Sequence, residues 1–289
     1  MHIDSKPLVS VIIPTFNRCQ FLKRAILSAV NQTFDNLEIF VINDGSIDGT
    51  LDVVDLIADK RIKYLCHEQN KGVVATRNTG VKNSTGEFIT FLDDDDEWAP
   101  DKIAKQLEVF KNSNDRVGLV CTNGYSEYKK DCFVNQNNSS GVIYDHQKDD
   151  FFPLGVLIPP PSSWMLPKAV IDEIGSFDEK MRYHWDDGDY LVRLTRKYQI
   201  FLLNENLVIW HALEKHLETV SLTLIKDKEI FFTKNYDLMK KDKKYLFRFC
   251  RALGKDALSI NKQIARKYLF KALVMRPWDF SIVSKIIRS

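Results

Sequence analysis

The sequence lacks the features that mark membrane-spanning and secreted proteins. It contains no run of about 18 consecutive apolar residues, the length that a membrane-spanning helix needs. Residues 1–14 contain no basic stretch followed by a long apolar stretch, so we expect no secretory signal there. Cysteine is scarce and scattered, at Cys19, Cys66, Cys121, Cys132 and Cys250. The odd number and the absence of any CxxC pair argue against a disulfide framework or a zinc site and indicate a reducing cytoplasm.

Three nucleotide- and metal-binding motifs are also absent. No GxGxxG follows the first apolar run, where the sequence reads IPTFNR at residues 13–18, and no GxxxxGKS/T or HExxH occurs. These absences argue against a dinucleotide-binding fold, a P-loop nucleotide hydrolase and an HExxH zinc protease. The chain also contains no internal repeat.

What the sequence does contain is enough apolar material for a large core. The chain has 289 residues, of which 44% are hydrophobic, and this length predicts one or two domains. The net charge of +2 hides an asymmetry, because residues 222–289 carry 17 Lys and Arg against 6 Asp and Glu. That segment therefore has a net charge of +11, and residues 1–221 have a net charge of −9. An acidic body suits a site for metal ions, and a basic, aromatic tail suits an anionic membrane surface.

Strand and helix patterns alternate through the first half of the chain. Short, apolar, β-branched runs predict strands at residues 9–13, 37–44, 61–66, 87–93 and 117–121. Amphipathic segments predict helices at residues 21–32, 50–59 and 72–84 and another that begins at Pro100. This order predicts an α/β fold with a single, mostly parallel central sheet and helices on both faces. Ligands of such sheets bind beyond the carboxyl ends of the strands, where the sequence places Thr15, Asp44 and residues 93–96.

The second half is less regular. Residues 131–150 are polar and predict a loop, whereas residues 169–175 and 187–198 predict helices. Residues 200–210 predict one or two strands, and from Ser221 the pattern is helical to the end. We therefore expect a first domain at residues 1–221, divided into halves at about 8–122 and 123–221. A helical C-terminal extension is expected at residues 222–289.

The strongest functional signal is FLDDDDEW at residues 91–98. Four consecutive carboxylates directly after a buried strand repel one another unless a cation compensates them. Hard oxygen ligands of this kind suit Mg²⁺ or Mn²⁺, which in turn bridges a diphosphate. The alternative is a solvated acidic turn, with Asp96 near the N-terminus of the next helix.

Three further motifs carry weaker signals. Asp44, in IFVINDGS at residues 39–46, can accept from a base imide or a ribose hydroxyl, although Asp-Gly turns are common. Arg77, in GVVATRNTG at residues 72–80, can face a diphosphate or form an ion pair with the acidic run. Asp186 and Asp187, in HWDDGDYLVRL, can remove a proton from an acceptor hydroxyl or cap the helix that follows.

In this order the motifs resemble those of the inverting glycosyltransferases of family 2, which share the GT-A fold. The resemblance covers about residues 8–220 and runs through VSVIIPTFNR, FVINDGSIDGT, NKGVVATRNTGVKNSTGEFITFLDDDDEW, IGSFDE and WDDGDYLVRL. Each motif alone is modest evidence, and the ordered set is specific. The resemblance implies transfer of a hexosyl-type sugar, with inversion, from a nucleotide sugar that is usually a UDP-sugar. The implied acceptor is a hydroxyl of a glycan or of a lipid-linked sugar in surface polysaccharide or oligosaccharide biosynthesis.

The resemblance also implies roles on the donor side. Pro14 and Thr15 are expected along the nucleotide, and Arg77 is expected at the donor site. Asp44 matches the carboxylate that holds the base, usually uracil. The family usually has two aspartates before the glycine, but this chain has Asn43 and Asp44, so the base contact rests on Asp44 alone.

By the same resemblance, the acidic run is expected to hold the metal. Asp93 and Asp95 fit the DxD motif of the family, with Asp95 as the expected ligand of Mn²⁺ or Mg²⁺. Four acids in a row leave the phase of this motif open, so Asp94 can replace Asp93 at the ribose. Some enzymes with this fold add a late histidine ligand, for which His211 and His216 are the candidates, although a lone histidine is more often structural.

The catalytic and acceptor roles are also implied by the resemblance. Asp187 matches the second acid of the family's Glu-Asp pair, the general base, and Asp186 is a shorter first acid. Residues 151–164, among them Ser162, Ser163 and Trp164, are expected to line the acceptor channel by analogy. Trp164 and Trp185 can stack on sugar faces, although buried tryptophans are more often part of a core.

Two other classes of function stay open on the sequence. A nucleotidyltransferase can share a similar sheet and metal carboxylates, but it needs a Gly-rich, basic first loop that IPTFNR does not provide. A non-catalytic sugar-binding module would have lost the acidic residues, and all are present. The tail either binds an anionic membrane surface or packs as a helical layer on the first domain. The acidic body argues against a nucleic-acid partner, and we expect a cytoplasmic protein, free or peripheral at the inner face of the cell membrane.

Overall fold

A computed structural model of the chain describes residues 6–126, 139–145, 158–211, 221–279 and 281. Cys132, His216 and the part of the acceptor segment before residue 158 lie outside the described residues. The chain divides into two compact units. Of the described residues, the first unit takes 6–126, 139–145, 158–178 and 187–211, and the second takes the rest.

Within the described residues, the first unit forms a nine-stranded sheet. Its strands are β1 (Val9–Thr15), β2 (Leu37–Asn43), β3 (Ile62–Cys66), β4 (Phe88–Phe91), β5 (Asp96–Trp98), β6 (Val117–Ser126), β7 (Gly141–Tyr144), β8 (Met165–Pro167) and β9 (Gln199–Trp210). They lie in the order β3-β2-β1-β4-β8-β6-β9-β5, and β7 pairs with β9. The ladder from β3 to β4 is parallel, as is the β6–β9 pair. Antiparallel pairs enter through β5, β7 and β8, so the second half of the sheet is mixed.

Helices cover both faces of this sheet, as the alternating pattern predicted. They are α1 (Cys19–Val30), α2 (Thr50–Ile57), α3 (Val73–Asn83), α4 (Lys102–Asn112), α5 (Lys168–Ile174) and α6 (Asp186–Leu194). On one face, Val9, Val11 and Ile13 of β1 share a buried cluster with α1 and α4. On the other face, α3 approaches so closely that a Cβ on Gly80 would lie 2.5 Å from Cγ2 of Ile12.

β1 continues through Pro14, where the sequence predicts its end. The pairing of β1 with β4 stops at Ile12 and Phe91, and the carbonyl of Ile12 accepts from Leu92. In a parallel ladder every second residue of a strand bonds to the same neighbouring strand. Pro14, two residues after Ile12, therefore faces the side of β4, and β4 ends before it reaches Pro14. The strand therefore loses no ladder bond at Pro14.

The helix predicted at residues 187–198 is shorter at its C-terminus. α6 begins at Asp186 and ends at Leu194, and Gln199 then begins β9, a single strand of 12 residues. The Gln199 N–H donates to the carbonyl of Arg116, and Gln199 pairs in register with Val117. Pairing with β6 therefore sets where the helix must stop, and local periodicity does not contain that information.

The second unit is helical, as the pattern beyond Ser221 predicted. Its helices are α7 (Leu222–Met239), α8 (Lys243–Asp256) and α9 (Lys262–Met275). Ser221, Asp242 and Asn261 cap them, because each side chain accepts a backbone N–H from the first turn. Within the part of the chain that the structure describes, no helix is long and apolar enough to cross a membrane.

Candidate active site

Three neighbouring strand ends bring the main sequence-predicted residues to one edge of the sheet. Thr15 pairs in register with Asn43, and the Asp44 N–H donates to the carbonyl of Thr15 at 2.9 Å. On the other side of β1, the Leu92 N–H donates to the carbonyl of Ile12, so the acidic run begins one residue beyond this bond. The carboxyl ends of β2, β1 and β4 thus present Asp44, Thr15 and Asp93 side by side.

The acidic run forms a turn between β4 and β5 that arginines neutralise. The Asp96 N–H donates to the carbonyl of Asp93 at 3.0 Å and closes the turn. Nη1 of Arg18 lies 3.0 Å from Asp94 Oδ1 and 2.8 Å from Asp95 Oδ2. Nη2 of Arg77 lies 2.8 Å from Asp93 Oδ1, so the ion pair between Arg77 and the acidic run is present.

Sequence reasoning missed the arginines of the first loop and helix. Arg18 lies in the IPTFNR motif and directly precedes α1, and Nη2 of Arg24 donates to the backbone carbonyl of Asp95 at 3.0 Å. Their position directly after the first strand, at the edge of the sheet where ligands were predicted to bind, could have identified them as site residues. These two side chains fix the outer part of the turn.

Burial changes the protonation of two carboxyls in the turn. Burial raises the pKa of Asp94 to about 6, an effect that Arg18 opposes and that the neighbouring Asp95 reinforces. Burial also raises the pKa of Asp96 well above its usual range, together with the charges of Asp93 and Asp95. Burial and the neighbouring carboxylates therefore both favour the neutral forms of Asp94 and Asp96, and a neutral form lowers the mutual repulsion that the sequence suggests.

A single buried hydroxyl holds both ends of the turn. Ser162 lies in a short 3₁₀ helix (Pro161–Ser163), and its side chain is fully buried. Its Oγ donates to Asp96 Oδ2 at 2.5 Å and accepts the N–H of Asp93 at 3.1 Å. The hydroxyl therefore holds the carboxylate of Asp96 at a fixed position relative to the backbone of Asp93.

Core side chains anchor the segment that carries Ser162 through hydrogen bonds to its backbone. Each of three successive backbone carbonyls accepts one side-chain hydrogen bond. The donors are Trp98 Nε1 to Ser162 at 2.7 Å, Gln106 Nε2 to Ser163 at 2.8 Å and Thr90 Oγ1 to Trp164 at 2.6 Å. Because strand β4, strand β5 and helix α4 supply the three donors, the acidic turn rests on regular structure rather than on a loose loop.

Lys102 completes this anchor and is fully buried. Its Nζ donates to Gln106 Oε1 at 2.8 Å and to Thr90 Oγ1 at 3.3 Å, and it lies 4.0 Å from the ring centroid of Trp98. Burial lowers the pKa of Lys102 well below its usual range. The amine therefore orients all three donors of the anchor at the cost of desolvating an ionisable group.

The expectation that Ser163 and Trp164 line an acceptor channel stays a prediction. Both side chains are fully buried. Ser163 Oγ donates to the carbonyl of Pro160 at 2.8 Å, and Trp164 Nε1 donates to the carbonyl of Pro159 at 2.6 Å. Their polar atoms satisfy the backbone of their own segment, whereas Ser162 contacts the acidic turn.

Asp44 is buried, with 2% of its surface exposed. Its Oδ1 accepts from Lys71 N at 2.9 Å and lies 2.7 Å from His67 Nδ1, and its Oδ2 accepts from Gly72 N at 2.8 Å. A carboxylate has about four lone-pair positions, so one position on Oδ2 is still available to a ligand. His67, which follows β3 and also contacts Thr79 at 2.9 Å, is a further residue that sequence reasoning missed.

Asp186 and Asp187 lie at the start of α6, where the sequence placed them. Asp187 is partly exposed, and its Oδ1 accepts the N–H of Gly188 at 2.6 Å in the first turn. Asp186 is buried. Trp185, which has φ +65°, packs in the second unit against Phe231 and Phe249, with ring centroids 4.8 and 5.1 Å away.

His211 directly follows β9, which pairs antiparallel with β5. Asp96 is in register with Trp210, and extending this register by one residue places His211 opposite Asp95. Nε2 of His211 lies 3.4 Å from Oε2 of Glu97. Of the two histidines proposed as metal ligands, only His211 lies within the described residues.

The acidic turn fits a divalent cation that is shared with a ligand. Within residues 6–126, 139–145, 158–211, 221–279 and 281, no three His, Cys, Asp or Glu side chains converge into a complete ligand set. The side chains of Asp93 and Asp95 are 29% and 21% exposed, so their oxygens are accessible. Mg²⁺ and similar hard cations commonly bind one or two carboxylates together with phosphate oxygens of the substrate, and this donor set matches that mode.

The sequence matches the model of a known protein family. The sequence model of Glycosyl transferase family 2 matches residues 10–175. An uncharacterised glycosyltransferase of Rickettsia typhi is 28% identical, over 91% of this chain and 95% of the relative. An uncharacterised glycosyltransferase of Rickettsia prowazekii is 32% identical, over 70% of this chain and 63% of the relative.

Solved structures share the fold at low sequence identity. TarS of S. aureus, solved with UDP-GlcNAc, is 18% identical with a TM-score of 0.64, over 95% of this chain and 75% of that chain. The mannosyltransferase PcManGT of Pyrobaculum calidifontis, solved with GDP-Man and Mn²⁺, is 14% identical with a TM-score of 0.64. This match covers 99% of this chain and 86% of that chain. Both are GT-A transferases, and the sheet with its helices described above has the same fold.

Proposed function

The chain belongs to glycosyl transferase family 2 and is a glycosyltransferase, and we propose that it moves a hexosyl-type sugar from a UDP-sugar to a hydroxyl acceptor with inversion. The acceptor is a glycan or a lipid-linked sugar in surface polysaccharide or oligosaccharide biosynthesis. The observation that carries the proposal is the acidic turn. It lies at the carboxyl edge of β1, β2 and β4, Ser162 fixes its spacing, and Arg18 and Arg77 compensate its charge.

The donor nucleotide is proposed to lie along Pro14 and Thr15, with its base at Asp44. The remaining lone-pair position of Asp44 Oδ2 suits the imide N–H of uracil, and two of the contacts of Asp44 hold the backbone at Lys71 and Gly72 in place. Arg77 supplies a fixed positive charge for the diphosphate from α3. The two solved relatives bind different nucleotide sugars, UDP-GlcNAc and GDP-Man, so the preference for UDP rests on the match of Asp44 to the family motif.

Asp95, with Asp93 beside it, is proposed to hold Mn²⁺ or Mg²⁺. When bound, the cation stabilises the charge of the departing nucleoside diphosphate. Asp94 or Asp93 then contacts the ribose, and His211 is a further candidate ligand because the β5–β9 register places it opposite Asp95. Arg18, which pairs with Asp94 and Asp95, adds positive charge at the same edge of the sheet.

Asp187 is proposed to be the general base. It is partly exposed in the first turn of α6, where a carboxylate can accept the proton of an acceptor hydroxyl as that oxygen attacks the anomeric carbon. Asp186 and Trp185 directly precede it in sequence and are proposed to contribute to acceptor binding. The competing role, stabilisation of the first turn of α6 through the Gly188 N–H, predicts a loss of stability on substitution but no loss of chemistry.

An assay of nucleotide release tests the proposal. The full chain is incubated with UDP-glucose, UDP-galactose or UDP-GlcNAc, Mn²⁺ and octyl glycosides as model acceptors, and the products are analysed by NMR. The proposal expects UDP and a new glycoside whose anomeric configuration is inverted relative to the donor. Pyrophosphate release from UTP and a sugar phosphate would identify a nucleotidyltransferase, and binding without turnover would identify a non-catalytic sugar-binding module.

A further inference from the structure

An apolar groove of about 790 Å³ lies between the three helices of the second unit. Its apolar lining includes Phe232, Tyr236, Leu246, Phe270, Val274 and Met275. The volume is in the range of sites that bury most of a small ligand, which is about 300–1,000 Å³. The proposed transfer reaction uses none of these residues.

Helix α9 carries apolar residues on two faces. One face is buried in the unit and contains Ala265, Tyr268, Leu269 and Ala272. The other exposes 61% of Phe270 and 64% of Val274, which are four residues apart and therefore adjacent on the helix surface. Trp278, just beyond the helix, is 75% exposed. A soluble protein rarely leaves such large apolar side chains together in water unless they bind a partner.

The charged side chains that line the groove are all basic. They are Arg266, Lys267 and Lys271, and no acidic side chain is among the described lining residues. Nζ of Lys271 lies 5.7 Å from the ring centroids of both Phe232 and Tyr236, so the positive charge sits beside the apolar surface. Lys267 shares its charge with Glu229 at 2.9 Å. An apolar groove beside basic side chains suits an amphiphile with an apolar chain and an anionic head group.

We propose that this groove docks the protein on an anionic phospholipid bilayer. The acyl region accepts Phe270, Val274 and Trp278, and the lipid phosphates face Arg266 and Lys271. The net charge of +11 over residues 222–289 provides the long-range attraction. This inference goes beyond the proposed transfer reaction by naming a docking surface and its lipid class, and it is independent of the donor chemistry in the first unit.

Sedimentation with vesicles tests the groove. The full chain is mixed with vesicles of phosphatidylcholine alone or with one quarter phosphatidylglycerol, at low and high salt. We expect binding to the anionic vesicles only, weakened by salt. Replacing Arg266, Lys267 and Lys271 with Gln removes three basic side chains and lowers partitioning by about 100-fold, because each is worth about fivefold at such a surface.

Two matched variants separate the groove from general charge and general hydrophobicity. Lys226, Lys241 and Lys244 are exposed basic residues of the same unit outside the groove, and their triple change to Gln removes the same charge. Phe270→Ser with Val274→Ser removes only exposed apolar surface, and Leu56→Ser is its control on α2, where Leu56 is 80% exposed. We expect both groove variants to lose more binding than their controls.

Equal losses in the groove variants and their controls would overturn the proposal, as would absence of binding to anionic vesicles. A concentration-dependent dimer that Phe270→Ser with Val274→Ser abolishes would assign the groove to a second copy. Vesicle binding that appears only after removal of residues 282–289 would assign it to that segment. UDP-sugar binding without vesicles, measured on the same variants, should stay at the wild-type value, which separates failure of this inference from failure of the proposed reaction.

Discussion

Ser162 Oγ lies 2.5 Å from Asp96 Oδ2 and accepts the N–H of Asp93, so one buried hydroxyl joins both ends of the acidic turn. The carbonyl of Ser162 in turn accepts from the indole of Trp98. The backbone of Asp93, one of the two residues proposed to bind the metal, therefore has its position set by the sheet through Ser162. Such supporting residues commonly change metal affinity as strongly as a weak ligand does.

Ser162→Ala is predicted to lower the apparent affinity for Mn²⁺, or kcat, by about 10- to 100-fold, because it releases Asp93 and Asp96 from a fixed spacing. Titration of activity with Mn²⁺ measures the change. Ser163→Ala is the matched control, since Ser163 is equally buried but donates to Pro160 outside the turn. Similar Mn²⁺ dependence in both variants would contradict the positioning role.

Arg77→Lys is predicted to reduce kcat/KM for the sugar donor by about 10- to 100-fold. Lysine keeps the charge but loses the guanidinium whose Nη2 donates to Asp93, and a hydrogen bond to a charged group is worth about 1.5–3 kcal/mol. Steady-state kinetics with varied donor measure the effect. Lys82→Arg, at the end of the same helix, is the matched control because it also exchanges one basic side chain for another. Wild-type kcat/KM in Arg77→Lys would show that a point charge suffices.

Asp187→Asn is predicted to lower kcat by about 10²- to 10⁴-fold, because the amide cannot accept the acceptor proton. Donor binding should survive, and calorimetry on the same variant measures it. Asp55→Asn removes an exposed carboxylate from α2 and should leave both quantities unchanged. Wild-type turnover in Asp187→Asn would exclude Asp187 as the base and favour its role in the first turn of α6.

Lys102→Met is predicted to remove a pH dependence of stability. Because burial lowers the pKa of Lys102 in the folded state, the unfolded chain binds a proton that the folded chain does not between that lowered pKa and about 10.5. The free energy of unfolding therefore rises with pH across this window, by up to about 1.4 kcal/mol per pH unit. Above the window both states are deprotonated, and folding no longer has to release the proton of Lys102.

Urea unfolding at several pH values measures this slope for wild type and for Lys102→Met. Lys105→Met is the control, because Lys105 is partly exposed and pairs with Asp101 and Glu205. Identical slopes in wild type and Lys102→Met would mean that Lys102 is charged in the folded protein.

The sequence predicted the part of the fold that local patterns determine. The runs that became β1, β2 and β4 are apolar and β-branched, and their carboxyl ends place Thr15, Asp44 and Asp93 together. Strand β5 was missed because Asp-Glu-Trp has no strand pattern, and the strand exists only through its pairing with β9. Pairing between distant segments is not visible in a local window.

Pairing between distant segments also explains which contacts of the site the sequence did not predict. Ser162 and Asp96 are 66 residues apart, and Arg18 and Asp94 are 76 residues apart, so neither contact has a local signal. Ser163 and Trp164 were assigned to the acceptor side by analogy, and the burial of both side chains in the core had no local signal either. Arg77 was recognised because its helix lies between two acidic strand ends.

The most direct test of the central claim is calorimetry of donor binding at the acidic turn. UDP-, GDP- and dTDP-sugars are titrated into the full chain with and without Mn²⁺, and the titrations are repeated with Asp95→Ala and with Asp55→Ala as the control. The account predicts binding of a UDP-sugar that requires Mn²⁺, is lost in Asp95→Ala and is retained in Asp55→Ala. Absence of binding by every nucleotide sugar in the presence of Mn²⁺, or unchanged binding in Asp95→Ala, would contradict it.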